Sequence, residues 1–356
     1  MSATVHTAAP PDAFGAEALA TLLESRDTPA QPLEQLQRLI DAGLDRLPLP
    51  GHGATLQRWQ ALAAIAAIDL SLLKLYEGHT DALAILAEID GTNVPAGSSW
   101  GVWCAEMPGA RVKLRQAPDG HWQLDGRKAW CSGAATASHG LLTAWRTETD
   151  ATGPQLVAVP MRQPGVAVSS DAWAAVGMAD SASLDIDFQG ARAELVGAPG
   201  DYLARPGFWQ GGAGVAACWY GGTLPLAAAL HGAVAEAPAP ARSPFRLAAL
   251  GKVDLAMRAT AALLREAAVW TDAHPTADAS AVALRVRQAA EGGARLVLDE
   301  VGRALGATPF CRDARFARAA ADLPVFIRQS HAERDFAALG ERLAATADLE
   351  EGAWNL

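Results

Sequence analysis

From Phe14 to Ile89 the apolar positions fall at helical intervals. Leu33, Leu36, Leu39 and Ile40 form one stripe, and Leu56, Trp59, Leu62, Ala66, Leu70 and Leu73 form another. Residues three and four apart share a helix face, so each stripe predicts a helix with one buried side. Between them, Leu47-Pro-Leu-Pro-Gly-His-Gly53 breaks the pattern with residues that end helices, which predicts a loop. Beyond Ser99 the period shortens to that of strands. Val112 to Gln116 and His121 to Asp125 flank Ala117-Pro-Asp-Gly120, a hairpin turn, and Leu141 to Trp145, Leu156 to Pro160 and Val166 to Ser169 follow as short apolar runs. Leu184, Ile186 and Phe188 then alternate with Asp185, Asp187 and Gln189, as in a strand with one wet face.

After Phe208 the helical period returns over Gly214 to Val234, Phe245 to His274, Ser280 to Leu305 and Arg315 to Ala345. The link Glu236-Ala-Pro-Ala-Pro-Ala-Arg-Ser-Pro244 separates the first two, because repeated proline cannot continue a helix. The expected architecture is α+β: an N-terminal helical domain over residues 1–95, a middle antiparallel β-barrel or sandwich over 96–203, and a C-terminal four-helix bundle over 204–356. No internal repeat is visible.

Composition narrows the function classes. Half of the 356 residues are hydrophobic, enough for a large core in two or three structural units. The net charge of −10 and pI of 5.3 argue against a nucleic-acid partner, and no dense Lys/Arg cluster offsets them. Cys104, Cys131, Cys218 and Cys311 are scattered without a C-x-x-C pair or a histidine at ligand spacing, so neither a disulfide framework nor a metal site is expected, in keeping with the cytoplasm. The N-terminus lacks the basic and apolar regions of a signal peptide. The hydrophobic stretch Leu56 to Tyr76 carries Arg58, Asp69 and Lys74, so no membrane span is expected. Gly212-Ala-Gly214-Val-Ala-Ala217 follows no buried strand, which argues against a dinucleotide fingerprint.

One segment points to a family. Trp122-Gln-Leu-Asp-Gly-Arg-Lys-Ala-Trp-Cys-Ser-Gly-Ala134 resembles the G-W-x-L-N-G-x-K-x-W-I-T-N-A signature of the acyl-CoA dehydrogenase family, through Trp122, Leu124, Gly126, Lys128, Trp130 and Ala134, with Ser132 in place of a threonine. In that family this strand forms a wall of the flavin site. Trp130, Cys131 and Ser132 are therefore the expected cofactor contacts: an indole supplies a flat apolar surface, and a hydroxyl can meet the ring's reactive nitrogen. Trp103-Cys-Ala-Glu-Met-Pro-Gly-Ala110 is similar to the family's Y-x-x-T-E-P-x-A-G-S-D, which adds Trp103, Ala105 and Glu106 to the cofactor wall. Glu106 falls at the family's threonine and Val112 at its serine; Glu106 by itself reads as a solvated loop carboxylate. Val176-Gly-Met-Ala-Asp-Ser181 and Leu195-Val-Gly-Ala-Pro-Gly200 are similar to the run that ends the family's β domain. The order of helices, strands and helices agrees with the family's fold.

The resemblance implies FAD, seated between the β domain and the bundle, and α,β-dehydrogenation of an acyl thioester with electrons passed to an external acceptor. It also implies a homodimer or homotetramer. The family's catalytic glutamate has no counterpart. Aligning Arg312-Asp-Ala-Arg315 with its motif puts Ala321 at the base position, counting from Gly306 puts Ile327 there, and the alternative site early in the first bundle helix holds Gly214 or a small neighbour. Asp322 and His331 are the candidate proton-handling residues in its place, His331 because histidine occurs near the flavin in monooxygenase relatives and titrates in the useful range. Arg328-Gln-Ser-His-Ala-Glu-Arg-Asp335 otherwise reads as a salt-bridged outer face. The Arg-x-x-Phe-Gly that grips the flavin pyrophosphate is represented only by Arg242 and Phe245, and a second flavin motif by Gly302-Arg-Ala-Leu-Gly306. Flavin-dependent oxygenation or oxidation of a small molecule, and a non-catalytic acyl-binding or scaffold relative, stand as alternatives.

Overall fold

The computed structural model describes residues 14–23, 31–89, 94–146, 153–169 and 173–345. Two compact units emerge, residues 1–49 with 69–208 and residues 50–68 with 209–356. The division cuts across the 1–95 boundary, because helical periodicity shows that a face is buried but not what buries it.

The first unit begins with helices α1 (Ala16–Leu23) and α2 (Pro32–Asp41) and contains the long helix α4 (Leu70–Ile89). Its strands are β1 (Trp100–Trp103), β2 (Val112–Gln116), β3 (Trp122–Cys131), β4 (His139–Ala144), β5 (Gln155–Pro160), β6 (Val166–Val168) and β7 (Leu184–Val196), followed by the short helix α5 (Asp201–Ala204). The strand order is β1-β4-β5-β7-β3-β2, with β6 paired to β7. Leu114 N donates to Trp145 O (2.8 Å) and Trp145 N to Val112 O (2.9 Å), so β2 bonds back to the end of β4 and the sheet closes into a barrel. One pairing departs from the antiparallel expectation: β1 runs parallel to β4, with Gly101 opposite Gly140. The hairpin β2–β3 lies between them in sequence, and a connection of that length frees β1 from the antiparallel pairing a tight turn imposes.

The barrel has two cores. Leu142, Ala144, Val157, Val159, Ile186 and Phe188 fill the interior with Leu114 and Leu124. Leu141, Leu156 and Ala158, one register off, face Ala82, Ile85 and Leu86 of α4. Burial on both faces is why β4 and β5 read as continuous apolar runs. One turn before Ala82 on the same face of α4, His79 is fully buried. Its Nδ1 accepts from Trp100 N (3.3 Å), so the proton sits on Nε2 and is donated to Asp45 (3.2 Å). That bond ties α4 to the turn after α2 and to the start of β1.

The second unit holds α3 (Thr55–Ala66), α6 (Gly207–Ala235) apart from its first two residues, α7 (Pro244–Ala273), α8 (Ser280–Leu305), α9 (Ala307–Arg312), α10 (Ala314–Phe326) and α11 (Glu333–Ala345). Two devices hold α3 in it. Asp272 of α7 accepts from Gly53 N (3.0 Å), Thr55 N (3.1 Å) and Thr55 Oγ1 (2.6 Å), which satisfies donors at the N-terminus of α3. Gly221 of α6 lies so close to α3 that a Cβ there would come within 2.4 Å of the Ala63 carbonyl oxygen. The expected single helix from Arg315 to Ala345 is broken: α10 ends in a 3-10 turn at residues 327–329, Ser330 is extended, and Ala332 is left-handed (φ 49°). Ser330 Oγ and Asp335 accept from Ala332 N and His331 N, satisfying donors where the break starts a new helix. α6 is long and apolar enough to cross a membrane by length and composition, although 61% of its most apolar window is buried within the protein.

Candidate cofactor wall on the β barrel

The end of β3 departs from regular pleating. Lys128 pairs with Ile186 and Cys131 with Leu184, so two residues of β3 oppose the single Asp185 of β7. This β-bulge turns Lys128 and Cys131 both inward, which simple alternation forbids for residues three apart. Trp130, inside the bulge, is pushed outward: its backbone is left-handed (φ 60°), its N–H donates to Asp185 Oδ1 (3.3 Å), and its side chain is 55% exposed. A non-glycine residue held in this conformation stores strain, and here the strain presents a flat indole to solvent.

Ser132 follows just beyond β3. Its hydroxyl shares a hydrogen bond with Ser183 (2.7 Å), which continues through Ser181 to the Met178 carbonyl. Its carbonyl accepts from Trp103 Nε1 (3.1 Å). Trp103, at the end of β1, is buried, and its indole lies flat over the paired glycines 101 and 140. The Cys131 thiol is in the barrel core, and burial pushes its pKa up, so only its backbone can face a ligand. Cys104 packs instead against the outer cluster that includes Ala82, Ile85 and Leu86, its thiol pushed up to about 12 chiefly by burial. Ala105 is exposed, and among the described residues its backbone N–H and C=O are not hydrogen-bonded.

Glu106 is not the solvated carboxylate its loop position suggests. Its Oε1 accepts from Lys128 Nζ (2.8 Å) and Thr143 Oγ1 (2.5 Å), and its Oε2 from Trp145 Nε1 (3.1 Å). Lys128 is wholly buried, and its ammonium also meets the Thr143 hydroxyl (2.8 Å) and carbonyl (3.2 Å). Burial opposes ionisation of Glu106, but the bonds from Lys128 and Thr143, the lysine charge and the bond from Trp145 outweigh it and hold the carboxyl below its ordinary range. Sequence reasoning missed Thr143 and Trp145 altogether. The available signal was Lys128 itself, a lysine between inward positions of a strand, which requires a buried partner.

The structure thus gathers Trp103, Ala105, Glu106, Trp130, Cys131 and Ser132 around one end of the barrel. An exposed indole, a hydroxyl and unpaired backbone polar groups suit a planar ring that carries hydrogen-bonding atoms. Asp322 and His331 belong to the helical unit: Asp322 is buried on α10, and the His331 side chain, between α10 and α11, is 69% exposed. Glu291 of α8, which the sequence reading passed over, is a buried carboxylate with Arg328 on one oxygen (2.5 Å) and no hydrogen bond to the other. Neither Ala321, which is exposed, nor Gly214, where an added Cβ would come within 3.2 Å of the Trp59 indole nitrogen, supplies a carboxylate. Arg242 is used locally, donating to the carbonyls of Ala235, the last residue of α6, and of Ala237 just beyond it, and Phe245 is 84% exposed. Among the described residues no group of three His, Cys, Asp or Glu side chains could hold a metal ion.

Residues 106–191 match the family model for the acyl-CoA dehydrogenase middle domain. No curated protein sequence matches the chain. Solved structures match it nearly end to end. Dibenzothiophene monooxygenase (TdsC) from Paenibacillus sp. A11-2 superposes with a TM-score of 0.75 at 20% identity, covering 94% of this chain and 96% of the other. Butyryl-CoA dehydrogenase from Megasphaera elsdenii gives 0.79 at 15% identity, covering 97% and 99%. KijD3, solved with FMN and a dTDP-linked amino-keto sugar, gives 0.78 at 18% identity, covering 99% and 98%. TdsC has also been solved with FMN and indole. At these identities the structural matches establish the fold.

Proposed function

We propose that this chain, which belongs to the acyl-CoA dehydrogenase family by its middle domain and has that family's fold, is a flavin-dependent oxidoreductase acting on a small organic substrate. The observation that carries the reading is the bulge at the end of β3, where backbone strain exposes Trp130 beside Ser132. A flavin bound against this wall supplies the two-electron acceptor. Trp130 offers the apolar face, the Ser132 hydroxyl, whose proton goes to Ser183 in the chain that ends on the Met178 carbonyl, keeps its lone pairs to accept from a donor on the ring edge, and the Ala105 backbone can meet a polar ring edge. Trp103 fixes the Ser132 carbonyl and so the height of that wall. His331 is the residue we assign to proton transfer, since its imidazole is exposed, whereas Asp322 is buried on α10.

Two substrate readings follow. The first is dehydrogenation of the CH–CH group of an acyl thioester, with FAD as cofactor and an external electron acceptor. The second is oxygenation or oxidation of a small molecule, favoured by the absence of a carboxylate at Ala321, Ile327 and Gly214, the positions where the base is expected. The purified protein is expected to show flavin absorption bands, and chromatography of the released cofactor identifies FAD or FMN. Anaerobic bleaching by one of a panel of acyl-CoA thioesters supports the first reading; consumption of oxygen by the reduced protein with no thioester bleaching supports the second. A colourless protein that takes up neither FAD nor FMN would overturn both and leave a binding or scaffold role.

A homodimer or homotetramer is part of the proposal. Phe245, Leu255 and Val269 of α7 are 84%, 71% and 68% exposed, apolar side chains that a partner subunit would cover. Light scattering is expected to give at least twice the 37.0 kDa chain mass; a monomer refutes it.

A further inference from the structure

Around the break between α10 and α11, polar side chains are buried where packed helices normally meet through apolar ones. Three residues of α8 each hold a different part of the turn. Arg287 Nη2 donates to Gln329 O (2.9 Å), Gln288 Nε2 to Ser330 Oγ (3.0 Å) and Asp335 Oδ2 (3.3 Å), and Glu291 Oε1 accepts from Arg328 Nη2 (2.5 Å). Gln288, Glu291, Ser330 and Asp335 are each less than a tenth exposed. Burying these groups costs free energy that an apolar seam would not, and such networks are best attested where one specific geometry is required.

The geometry here centres on His331. Asp335 Oδ2 accepts from its backbone N–H (3.2 Å), and Asp335 Oδ1 lies 3.4 Å from its ring Nδ1. The other charged groups of the turn and the faces packed on it are Arg287, Glu291 and Arg295 of α8, Arg328, and Glu333 and Arg334 at the start of α11. Glu291 is met by Arg328 and, at 3.9 Å, by Arg295, which leaves Asp335 the carboxylate within ion-pair distance of the imidazole among the described residues.

We propose that Asp335 is a positioning residue for His331: anchored by Gln288, its carboxylate holds the imidazole with Nδ1–H inward and presents Nε2 at the surface of the helical unit. The inference rests on the assignment of His331 to proton transfer. Asp335 also accepts a backbone N–H next to α11, and a helix cap alone would account for that bond. Asp335→Asn separates the two, because the amide oxygen keeps the cap while the charge that selects the ring tautomer is lost.

Nitrogen NMR of the full-length protein labelled in histidine, with the His331 signal assigned by its loss in His331→Gln, reads the tautomer directly. The wild-type ring is expected in the Nδ1–H form, and Asp335→Asn is expected to shift it towards Nε2–H with the melting temperature little changed. Gln288→Leu, which keeps Asp335 but removes its anchor, gives a mixture and serves if Asp335→Asn does not fold. A wild-type ring already in the Nε2–H form, or one unaltered by either substitution, overturns the proposal. If His331 moves the proton, Asp335→Asn also lowers kcat roughly tenfold or more at nearly constant KM. A tautomer shift with unchanged kcat would keep the positioning role and remove the catalytic assignment of His331.

Discussion

Alanine at Gly140 is expected to unseat Trp103 and with it the wall on which the proposed cofactor rests. Gly140 and Gly101 are register partners on β4 and β1, and the Trp103 indole covers both. A Cβ at position 140 would fall 2.1 Å from the ring, and one at 101 would fall 2.5 Å from it, so a single methyl group cannot be added without moving the indole. Overpacking of this kind costs ~1–3 kcal/mol. Displacement also breaks the bond from Trp103 Nε1 to the Ser132 carbonyl and strands a buried donor, which adds roughly 1–3 kcal/mol. The urea midpoint of Gly140→Ala should fall accordingly, tryptophan fluorescence should report a changed Trp103 environment, and flavin affinity should drop. Gly251→Ala is the control: this position on α7 is exposed with nothing within 4 Å of an added Cβ, and alanine there should be neutral or stabilise by up to about 1 kcal/mol. Wild-type stability and flavin binding in Gly140→Ala would show that the glycine pair does not seat the indole.

That glycine seat marks a boundary of what the sequence reveals. The bounds of β2 could be read directly, and β4 and β5 nearly so, because two buried faces leave a continuous apolar run. The four residues Trp-Gly-Val-Trp of β1 could not, since so short a run has no period of its own, and its pairing with β4 depends on positions 39 residues away. The stripe from Leu56 to Leu73 reads as one helix, but the structure divides it at residues 67–69 into α3 and α4, and the place of α3 with α6 and α7 rests on Asp272 and Gly221, single residues that no stripe announces. The motif identified Trp130, yet the left-handed backbone that exposes it comes from a two-for-one bulge against Asp185, a matter of register rather than of composition. On Glu106 the local sequence misled, because the lysine that binds it is 22 residues further on, brought inward by the regular alternation of β3 that also buries Leu124.

The coupling of Glu106 to Lys128 carries the second large effect. Glu106→Gln removes the negative charge and leaves a fully buried ammonium with neutral acceptors alone, the Thr143 hydroxyl and carbonyl and the new amide oxygen. Breaking a wholly buried pair from one side costs ~3–5 kcal/mol; with the Glu106 side chain 32% exposed, water offsets part of this and about 2–3 kcal/mol is expected. Lys128→Met in the same background removes the stranded charge while keeping its apolar length, so the double variant should regain most of the loss. The pH dependence has a definite sign. The folded carboxyl lies below its ordinary value of 4.5, so its stabilising contribution is complete above that value and disappears as pH falls through the folded one. The stability difference between wild type and Glu106→Gln should therefore be level from neutral pH to just above 4.5 and shrink at more acid pH. A difference that instead grows on acidification, or a double variant no more stable than Glu106→Gln, would show that Lys128 does not depend on this carboxylate. Because Glu106 occupies the loop between Trp103 and the barrel wall, flavin affinity measured in the same variants tests whether the pair also fixes that loop: Glu106→Gln should weaken binding in proportion to its loss of stability, and the double variant should restore it only if Lys128 serves to anchor Glu106 rather than to meet the cofactor.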